Sequence, residues 1–312
     1  FHTADYIAIL KKTEVSQKIS EKDSKTYNIG SLSNPVFPEM FKRPATSVGS
    51  SLLAADLVAN GGRAYSLGGG LHHGMTGYAN GFCFLNDLAF AINRLRDLGV
   101  QRIAYIDLDA HHCDGVAAAF PEDENLFVVS THERKRWPFT GGLDENIPDR
   151  FLNVPLPSQC NDTEFTFVFE KLVLPLLDRF QPEALIIQGG ADALVEDPMS
   201  RLCLSNQVIF KILSILLGSS QRVLLTGGGG YNPWSVARLW TGFWALISGR
   251  TIPEVLPNQA TELLRSLSWQ RQTKPKEIML NSIYDVPMEG QLRDEVSDIV
   301  KKVSSLHKFK YS

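Results

Sequence analysis

The segment Tyr105–Gly115, which reads YIDLDAHHCDG, holds the densest group of side chains able to do chemistry. Period-two strand geometry places Asp107 and Asp109 on one face, and His111 continues in that direction where the strand ends. Zinc accepts aspartate oxygen and histidine nitrogen, and a catalytic zinc site keeps three protein ligands plus an open position for water. Asp109 and His111 supply two ligands, and Asp192, in QGGAD, supplies the third. The sequence therefore predicts one zinc site. The alternative is that the aspartates only cap a helix and His111 is a core histidine.

A histidine pair, His72-His73, lies in the segment GGGLHHG. Such a pair taken alone is more often structural, but beside a metal a histidine is a natural general base. Its pKa and tautomer then depend on a carboxylate that orients the ring. Asp107 and Asp114 are not among the predicted metal ligands, so two carboxylates are available to orient the two histidines.

A glycine-rich turn, Gly227–Tyr231, ends in a tyrosine. A turn of this kind can cradle phosphate, but neither a Walker lysine nor GxGxxG spacing follows it. The other interpretation is that the turn presents the Tyr231 hydroxyl to the metal site, where a phenol can stabilise a developing oxyanion.

The elements that position these motifs alternate between strand and helix. Five short apolar runs predict strands buried on both faces of a parallel sheet: Arg63–Leu67, Arg102–Leu108, Asn125–Ser130, Glu183–Gln188 and Arg222–Thr226. Helical patterns lie between them: Asn86–Leu98, Phe165–Phe180, Ser205–Leu217 with Ser205 as N-cap, and Trp234–Ile247. We therefore predict a single-domain α/β fold, a doubly wound and mainly parallel sheet with helices on both faces. Each motif follows a strand, so the active site is expected at the carboxyl ends of the strands.

Composition narrows the class of protein further. With 312 residues, 44% hydrophobic and 21% charged, the chain is typical of a globular domain. The formal net charge of -3 demands no polyanion-binding surface, although a local basic patch does not show in that sum, and we expect no direct nucleic-acid partner. No apolar run reaches the roughly 18 residues of a membrane helix, so no membrane partner is expected. Four cysteines without CxxC spacing predict reduced thiols and a cytoplasmic location, and nothing indicates the oligomeric state.

Taken together, these motifs resemble the histone deacetylase superfamily, most closely its bacterial histone-deacetylase-like and acetoin-utilisation members. The resemblance covers nearly the whole chain, from FHTADYIAIL through LSNPVFPEM, GGGLHHGMTGYANGFCFLND, YIDLDAHHCDGV, QGGADALVEDPMSRLCLS and GGGGYNPWSVARLW. It implies the arginase/deacetylase type of α/β fold.

The resemblance also implies roles for individual residues. It implies that Asp109, His111 and Asp192 bind zinc. It also implies that the Tyr231 hydroxyl polarises the substrate carbonyl. The tandem base and acid pair is His72 and His73, with Asp107 behind the first and Asp114 behind the second.

Further implied residues concern the substrate and a second ion. Gly81 accepts the substrate amide N–H through its carbonyl, Phe82 and Trp137 form the walls of an acyl-lysine tunnel, and Gly229 lies with the substrate. A structural K⁺ or Na⁺ is implied near Asp107, with Ser130 and the main-chain carbonyls of Asp109, His111 and Thr131 as its other ligands.

Two departures from the family pattern bear on these expectations. Ser33-Asn34 stand where the family has an aspartate that binds the substrate backbone. The family also begins several dozen residues before FHTADY, and residues 1–12 already have helix-like periodicity. We therefore expect the native protein to carry an upstream segment that supplies a further parallel strand.

The predicted activity is removal of acetyl, or another small acyl group, from lysine side chains of proteins, with release of acetate. The partner is then an acetylated lysine peptide or protein. Three alternatives stay open at this point. They are a deacetylase of acetylpolyamines or other small amides, a two-metal ureohydrolase, and a module that binds acyl-lysine without turnover.

Overall fold

Six strands form one parallel sheet in the computed structural model, which describes residues 1–271 and 274–308. They are β1 (Gly62–Ser66), β2 (Ile103–Asp107), β3 (Leu126–Glu133), β4 (Phe151–Leu156), β5 (Ala184–Gln188) and β6 (Arg222–Thr226). Their spatial order is β1-β6-β5-β2-β3-β4, and every described pairing is parallel. All five predicted strands are present, which confirms the predicted sheet.

The sequence did not predict β4. Its residues, FLNVPL, interrupt the apolar run with Asn153 and Pro155, which strands generally disfavour. Proline lacks an N–H, so it is tolerated only where a strand has an unpaired side. Strand β4 is such an edge and pairs with β3 alone.

Within residues 1–271 and 274–308, the sheet has no interior gap. Each of the six strands is hydrogen-bonded directly to its neighbours in the spatial order given above, with β1 and β4 at the two edges. A further strand, such as the predicted upstream one, therefore has room only beside β1 or β4. That segment stays a prediction.

The four predicted helical segments are all helical in the structure, which adds further helices that were not predicted. The helices are α1 (Ala4–Ser16), α2 (Glu21–Tyr27), α3 (Lys42–Val58), α4 (Asp87–Asp97), α5 (Asp114–Ala119), α6 (Asp162–Val168), α7 (Leu174–Phe180), α8 (Asn206–Leu216), α9 (Pro233–Ile247), α10 (Asn258–Ser266), α11 (Ile278–Asn281) and α12 (Asp294–Leu306). The single helix predicted at Phe165–Phe180 consists of α6, a π-helical turn at Phe169–Val173 and α7. Ser205 caps α8, as predicted. Among the described residues no helix is both long and apolar enough to span a bilayer.

Helices cover both faces of the sheet. Along β2, Ala104 and Ile106 belong to a core shared with α6 to α9 and α12, whereas Ile103 and Tyr105 pack with α3, α4 and α5. Successive side chains of a strand point to opposite faces, so this division confirms the doubly wound architecture.

The winding direction changes between β2 and β5. From β2 the chain builds outward through β3 and β4, then returns to the other side of β2 to form β5 and β6. Open α/β sheets bind ligands at such a switch, beyond the carboxyl ends of the strands. Asp107 and Gln188, the last residues of β2 and β5, lie opposite each other there.

A buried carboxylate fixes the loop that leads from β1 to the histidine pair. Asp87, the first residue of α4, accepts hydrogen bonds from the amide N–H groups of Leu71 (2.7 Å) and Gly70 (3.1 Å) and from the Ser51 hydroxyl (2.6 Å). Gly70 has φ +100°, and a Cβ there would lie 2.3 Å from the carbonyl oxygen of Gly227, so only glycine fits. Asp87 thus ties the loop to α4.

We expect the substitution Asp87→Ala to lower the free energy of unfolding by about 2–5 kcal/mol. It leaves the N–H groups of Leu71 and Gly70 without an acceptor, and each unsatisfied group costs about 1–3 kcal/mol. The Ser51 hydroxyl keeps Ser66 Oγ, 3.0 Å away, as a partner. Denaturant titration measures the change. The matched control is Asp97→Ala at the exposed far end of α4, where the change should stay within about 0.5 kcal/mol. Equal losses in the two variants would contradict this role for Asp87.

Candidate active site at the sheet edge

A cavity of about 1110 Å³ opens at the carboxyl edge of the sheet. Its walls come from segments that follow all six strands, together with Ser33, which precedes β1. Ten of the predicted site residues line it: His72, His73, Gly81, Phe82, Asp109, His111, Trp137, Asp192, Gly229 and Tyr231. Asp107 and Asp114 lie behind the two histidines instead. The structure therefore brings all the predicted residues together.

Asp109, His111 and Asp192 form a group able to hold a metal ion, with one potential ligand atom from each within 4.8 Å of the others. His111 Nδ1 lies 2.9 Å from Asp192 Oδ2 and 3.1 Å from Asp109 Oδ1. In the part of the chain that the structure describes, this is the one group of three such side chains. The second ligand set of a two-metal ureohydrolase is not found there.

The electrostatics of this group fit a cation. Asp109 and Asp192 are each only 1% exposed, and burial together with the charge of Asp109 raises the pKa of Asp192 to about 7. A bound divalent ion would remove that repulsion, and two carboxylates with one imidazole suit zinc. The space around them is tight, because a Cβ on Gly229 would lie 2.4 Å from Asp192 Oδ2.

The remaining carboxylate oxygens are held by hydrogen bonds from the protein. Asp109 Oδ2 accepts from Gln188 Nε2 and from the Gly229 N–H, both at 2.9 Å, and Asp192 Oδ1 accepts from the Ala110 N–H at 2.8 Å. Sequence reasoning missed Gln188. The feature of the sequence that could have indicated its role is a polar residue at the end of an otherwise apolar strand.

Each histidine of the pair has its own carboxylate. His72 Nδ1 lies 2.7 Å from Asp107 Oδ2, and His73 Nδ1 lies 2.6 Å from Asp114 Oδ1. These partners are the ones that the sequence predicted. The two rings are close, with centroids 3.9 Å apart.

Two polar neighbours of these carboxylates were not predicted. Asn80 Nδ2 donates to Asp114 Oδ2 at 2.8 Å, and the Tyr105 hydroxyl donates to Asp107. Both carboxylates are thereby fixed from a second side, which holds the imidazoles in one orientation.

The two imidazoles differ in basicity. Burial lowers the pKa of His73 well below its ordinary value, and the adjacent His72 adds to this effect. Burial also opposes the charge on His72, but Asp107 and Asp109 outweigh it and raise the pKa of His72 to about 9. At neutral pH, His73 is therefore the unprotonated member of the pair. Its Nδ1 faces Asp114, which leaves Nε2 free to accept a proton.

Tyr231 is positioned through its backbone. Its N–H donates to Asp197 Oδ2 at 2.6 Å, and the Asn232 N–H donates to the same oxygen at 3.2 Å. Burial, reinforced by Asp192 and Asp109, raises the pKa of the Tyr231 phenol, so it stays a donor at neutral pH. Asp197 was not predicted, because its partners lie more than 30 residues away in sequence.

Two aromatic rings flank the entrance. Trp137 packs edge-on to His73 with ring centroids 4.6 Å apart, and Phe82 lies 5.9 Å from the Tyr231 ring. Gly81 permits the close approach of Trp137, because a Cβ there would lie 2.2 Å from the indole. The rings are 37% and 46% exposed, so both offer surface to a ligand.

The predicted monovalent-cation residues are also neighbours. Asp107 and Ser130 lie opposite each other in the β2–β3 register and are buried. The Thr131 hydroxyl donates to the Asp107 carbonyl at 3.2 Å, and Ser130 Oγ lies 2.9 Å from His132 Nδ1. The K⁺ or Na⁺ site stays a prediction.

Known proteins resemble this chain in both sequence and fold. The histone deacetylase domain family matches residues 1–247. Acetoin utilization protein AcuC of Bacillus subtilis is 32% identical over 285 residues, which cover 87% of this chain and 72% of that protein. Histone deacetylase 8 of Xenopus tropicalis is 32% identical over 266 residues, covering 83% of this chain and 72% of that protein.

Two crystal structures superpose closely on this chain. An HDAC homologue complexed with SAHA is 40% identical, and an HDAC homologue from Aquifex aeolicus is 39% identical. Each gives a TM-score of 0.92 and covers 97% of this chain and 84% of its own. The ureohydrolase and non-catalytic alternatives find no support in these relatives. The chain belongs to the histone deacetylase family, and it is a hydrolase of the deacetylase class.

Proposed function

We propose that this chain removes acetyl groups from lysine side chains of proteins and releases acetate, with one zinc ion held by Asp109, His111 and Asp192. The observation that carries the proposal is one cavity in which these ligands meet an oriented, unprotonated His73 and the Tyr231 phenol. The cysteines among the described residues are all free, which favours a reducing, cytoplasmic location.

A zinc ion bound there supplies Lewis acidity, polarising the acetamide carbonyl and lowering the pKa of water. The protein supplies the proton transfers. His73 Nε2 accepts a proton from the attacking water, because Asp114 engages Nδ1 and fixes the tautomer. The same nitrogen then returns the proton to the departing amine.

The developing negative charge falls on the carbonyl oxygen of the substrate. The Tyr231 hydroxyl, which remains protonated, donates a hydrogen bond to that oxygen in the transition state. His72, protonated and held by Asp107, adds positive charge nearby. We assign His72 electrostatic support and His73 the base and acid steps.

The aromatic entrance suits an acetylated lysine arm. Phe82 and Trp137 present apolar ring surface, while the Gly81 carbonyl is available to the substrate amide N–H. Moving a charged ammonium out of water to a place between such rings costs far more free energy than moving a neutral acetamide there. Acetylation itself therefore favours entry.

The direct test of this function is acetate release from an acetyl-lysine peptide. Acetylpolyamines and small amides serve as competing substrates in the same assay. We expect the peptide to give the highest kcat/KM, loss of turnover with a chelator, and recovery with added zinc. Turnover of the polyamines alone would favour the small-amide alternative. Turnover undiminished by the chelator would contradict the zinc proposal.

We predict one zinc per chain in the purified protein and less than about a tenth of that in Asp192→Ala. Removing one of three ligands should weaken binding by well over about 100-fold, since loss of a mere supporting contact already costs 10–100-fold. Elemental mass spectrometry after dialysis measures the content. Asp97→Ala, which alters an exposed aspartate far from the cavity, should keep its zinc. Two tightly held transition metals, or undiminished zinc in Asp192→Ala, would refute the ligand set.

We expect Tyr231→Phe to keep its zinc but to lose about 10²–10³ in kcat, because the hydroxyl serves the oxyanion and makes no metal bond. Steady-state kinetics with a metal assay on the same sample separates the two effects. Tyr78→Phe, at an exposed tyrosine outside the cavity, is the matched control and should behave as wild type. Equal activity of Tyr231→Phe and wild type would remove Tyr231 from the mechanism.

The two histidine substitutions should rank in a definite order. We expect His73→Ala to lower kcat/KM by about 10²–10⁴, at least as much as His72→Ala, because only His73 transfers the proton. Both variants are compared at equal zinc content. A larger loss for His72→Ala would reverse the assignment.

A further inference from the structure

The outer part of the cavity carries a cluster of cations. Four basic side chains line it: Arg134, Lys135, Arg136 and Arg201. Three carboxylates line the same cavity, but Asp109 and Asp192 belong to the metal group at its floor. Glu133 is therefore the one acidic side chain near the entrance among the described lining residues.

Glu133 is buried and already engaged. Its Oε2 accepts hydrogen bonds from Arg136 Nε and from the Arg201 N–H (2.8 Å). Arg136 Nη1 in turn donates to the Met199 carbonyl at 2.7 Å. These contacts join the segment after β3 to the segment after β5 and neutralise Arg136, so Glu133 has no charge to offer a ligand.

The other three cations keep their positive charge for the entrance. Lys135 and Arg201 are exposed and form no ion pair within residues 1–271 and 274–308. Arg134 pairs with Glu295, but the two side chains are 40% and 44% exposed, and such a pair is weak and screened by salt. The entrance is thus locally positive, although the chain has a formal net charge of -3.

From this distribution we infer that the preferred substrate is an acetyl-lysine whose neighbouring residues are acidic, and that Lys135 and Arg201 determine this specificity. The inference rests on the proposed deacetylase function. Residues adjacent to the acetyl-lysine lie within about 4–7 Å of it along an extended chain, close enough to meet the rim. That distance is shorter than the Debye length of about 10 Å at 0.1 M salt. The same cations repel a polyamine arm and so disfavour the small-amine alternative.

The test uses three acetyl-lysine peptides that differ only in flanking residues: glutamate, glutamine or lysine. We expect kcat/KM to fall in that order, with a glutamate-to-lysine ratio of about five or more at low salt, since each exposed charge contact is worth about 1.4- to 5-fold. The ratio should approach one near 0.5 M salt, where charges on the surface are screened.

Substitutions then locate the effect. Lys135→Gln and Arg201→Gln should each lower the glutamate-to-lysine ratio by about 1.4- to 5-fold and leave the glutamine-flanked peptide within about twofold of wild type. The matched control is Arg250→Gln, an exposed arginine just beyond the far end of the 15-residue helix α9. That helix begins beside the cavity and spans about 22 Å, so the control should leave the ratio unchanged.

Each failure is distinguishable. Equal rates for all three peptides, or a preference for lysine flanks, would overturn the inference and leave the deacetylase function standing. A preference for glutamate that survives in both variants would overturn the assignment to Lys135 and Arg201. If wild type hydrolyses none of the three peptides, the proposed function fails and the inference fails with it. Thermal melting of each variant, matched to wild type, excludes misfolding as the cause of a lowered ratio.

Discussion

The structure depends on keeping two buried carboxylates beside one imidazole. Asp109 and Asp192 are almost completely removed from water, yet both face His111 Nδ1 within about hydrogen-bond distance. Burying a charge costs several kcal/mol unless a partner compensates it. One imidazole cannot neutralise two carboxylates, and the raised pKa of Asp192 expresses that deficit. A divalent cation is the compensation that this arrangement fits.

The fold makes this arrangement by reversing its winding direction. Asp109 and His111 follow β2, Asp192 follows β5, and the two strands are neighbours only because the chain returns across the sheet. The carboxylates then receive hydrogen bonds from Gln188 and from backbone N–H groups, so they cannot turn away from the centre. A site fixed in this way acts on the transition state without reorganising during the reaction.

Much of this could be predicted because the signals are local. The apolar run that ends in alternating Asp107, Asp109 and His111 predicts a β-strand, and the alternation predicts that these three side chains point in the same direction. By contrast, β4 could not be recognised, because its identity as a strand depends on an edge position that tolerates Pro155. Residues that support the site through distant partners were also missed. Asp87 binds N–H groups 16 and 17 residues earlier, and nothing in the residues around Asp87 points to that loop.

The positive entrance could not be predicted for a related reason. A formal net charge of -3 averages over the chain, whereas the entrance depends on which carboxylates are buried or already paired. Glu133 precedes Arg134, Lys135 and Arg136 in sequence and reads as a mixed surface segment. Only the fold shows that the carboxylate turns inward to Arg136 while Lys135 remains exposed.

We propose that one cation balances Asp109 and Asp192 at the floor of the cavity. Diffraction data from zinc-loaded crystals, collected on both sides of the zinc absorption edge, test it most directly. We expect a single strong anomalous difference peak between the side chains of Asp109, His111 and Asp192. A cavity without a peak at that position, or with two peaks of equal height, would contradict it.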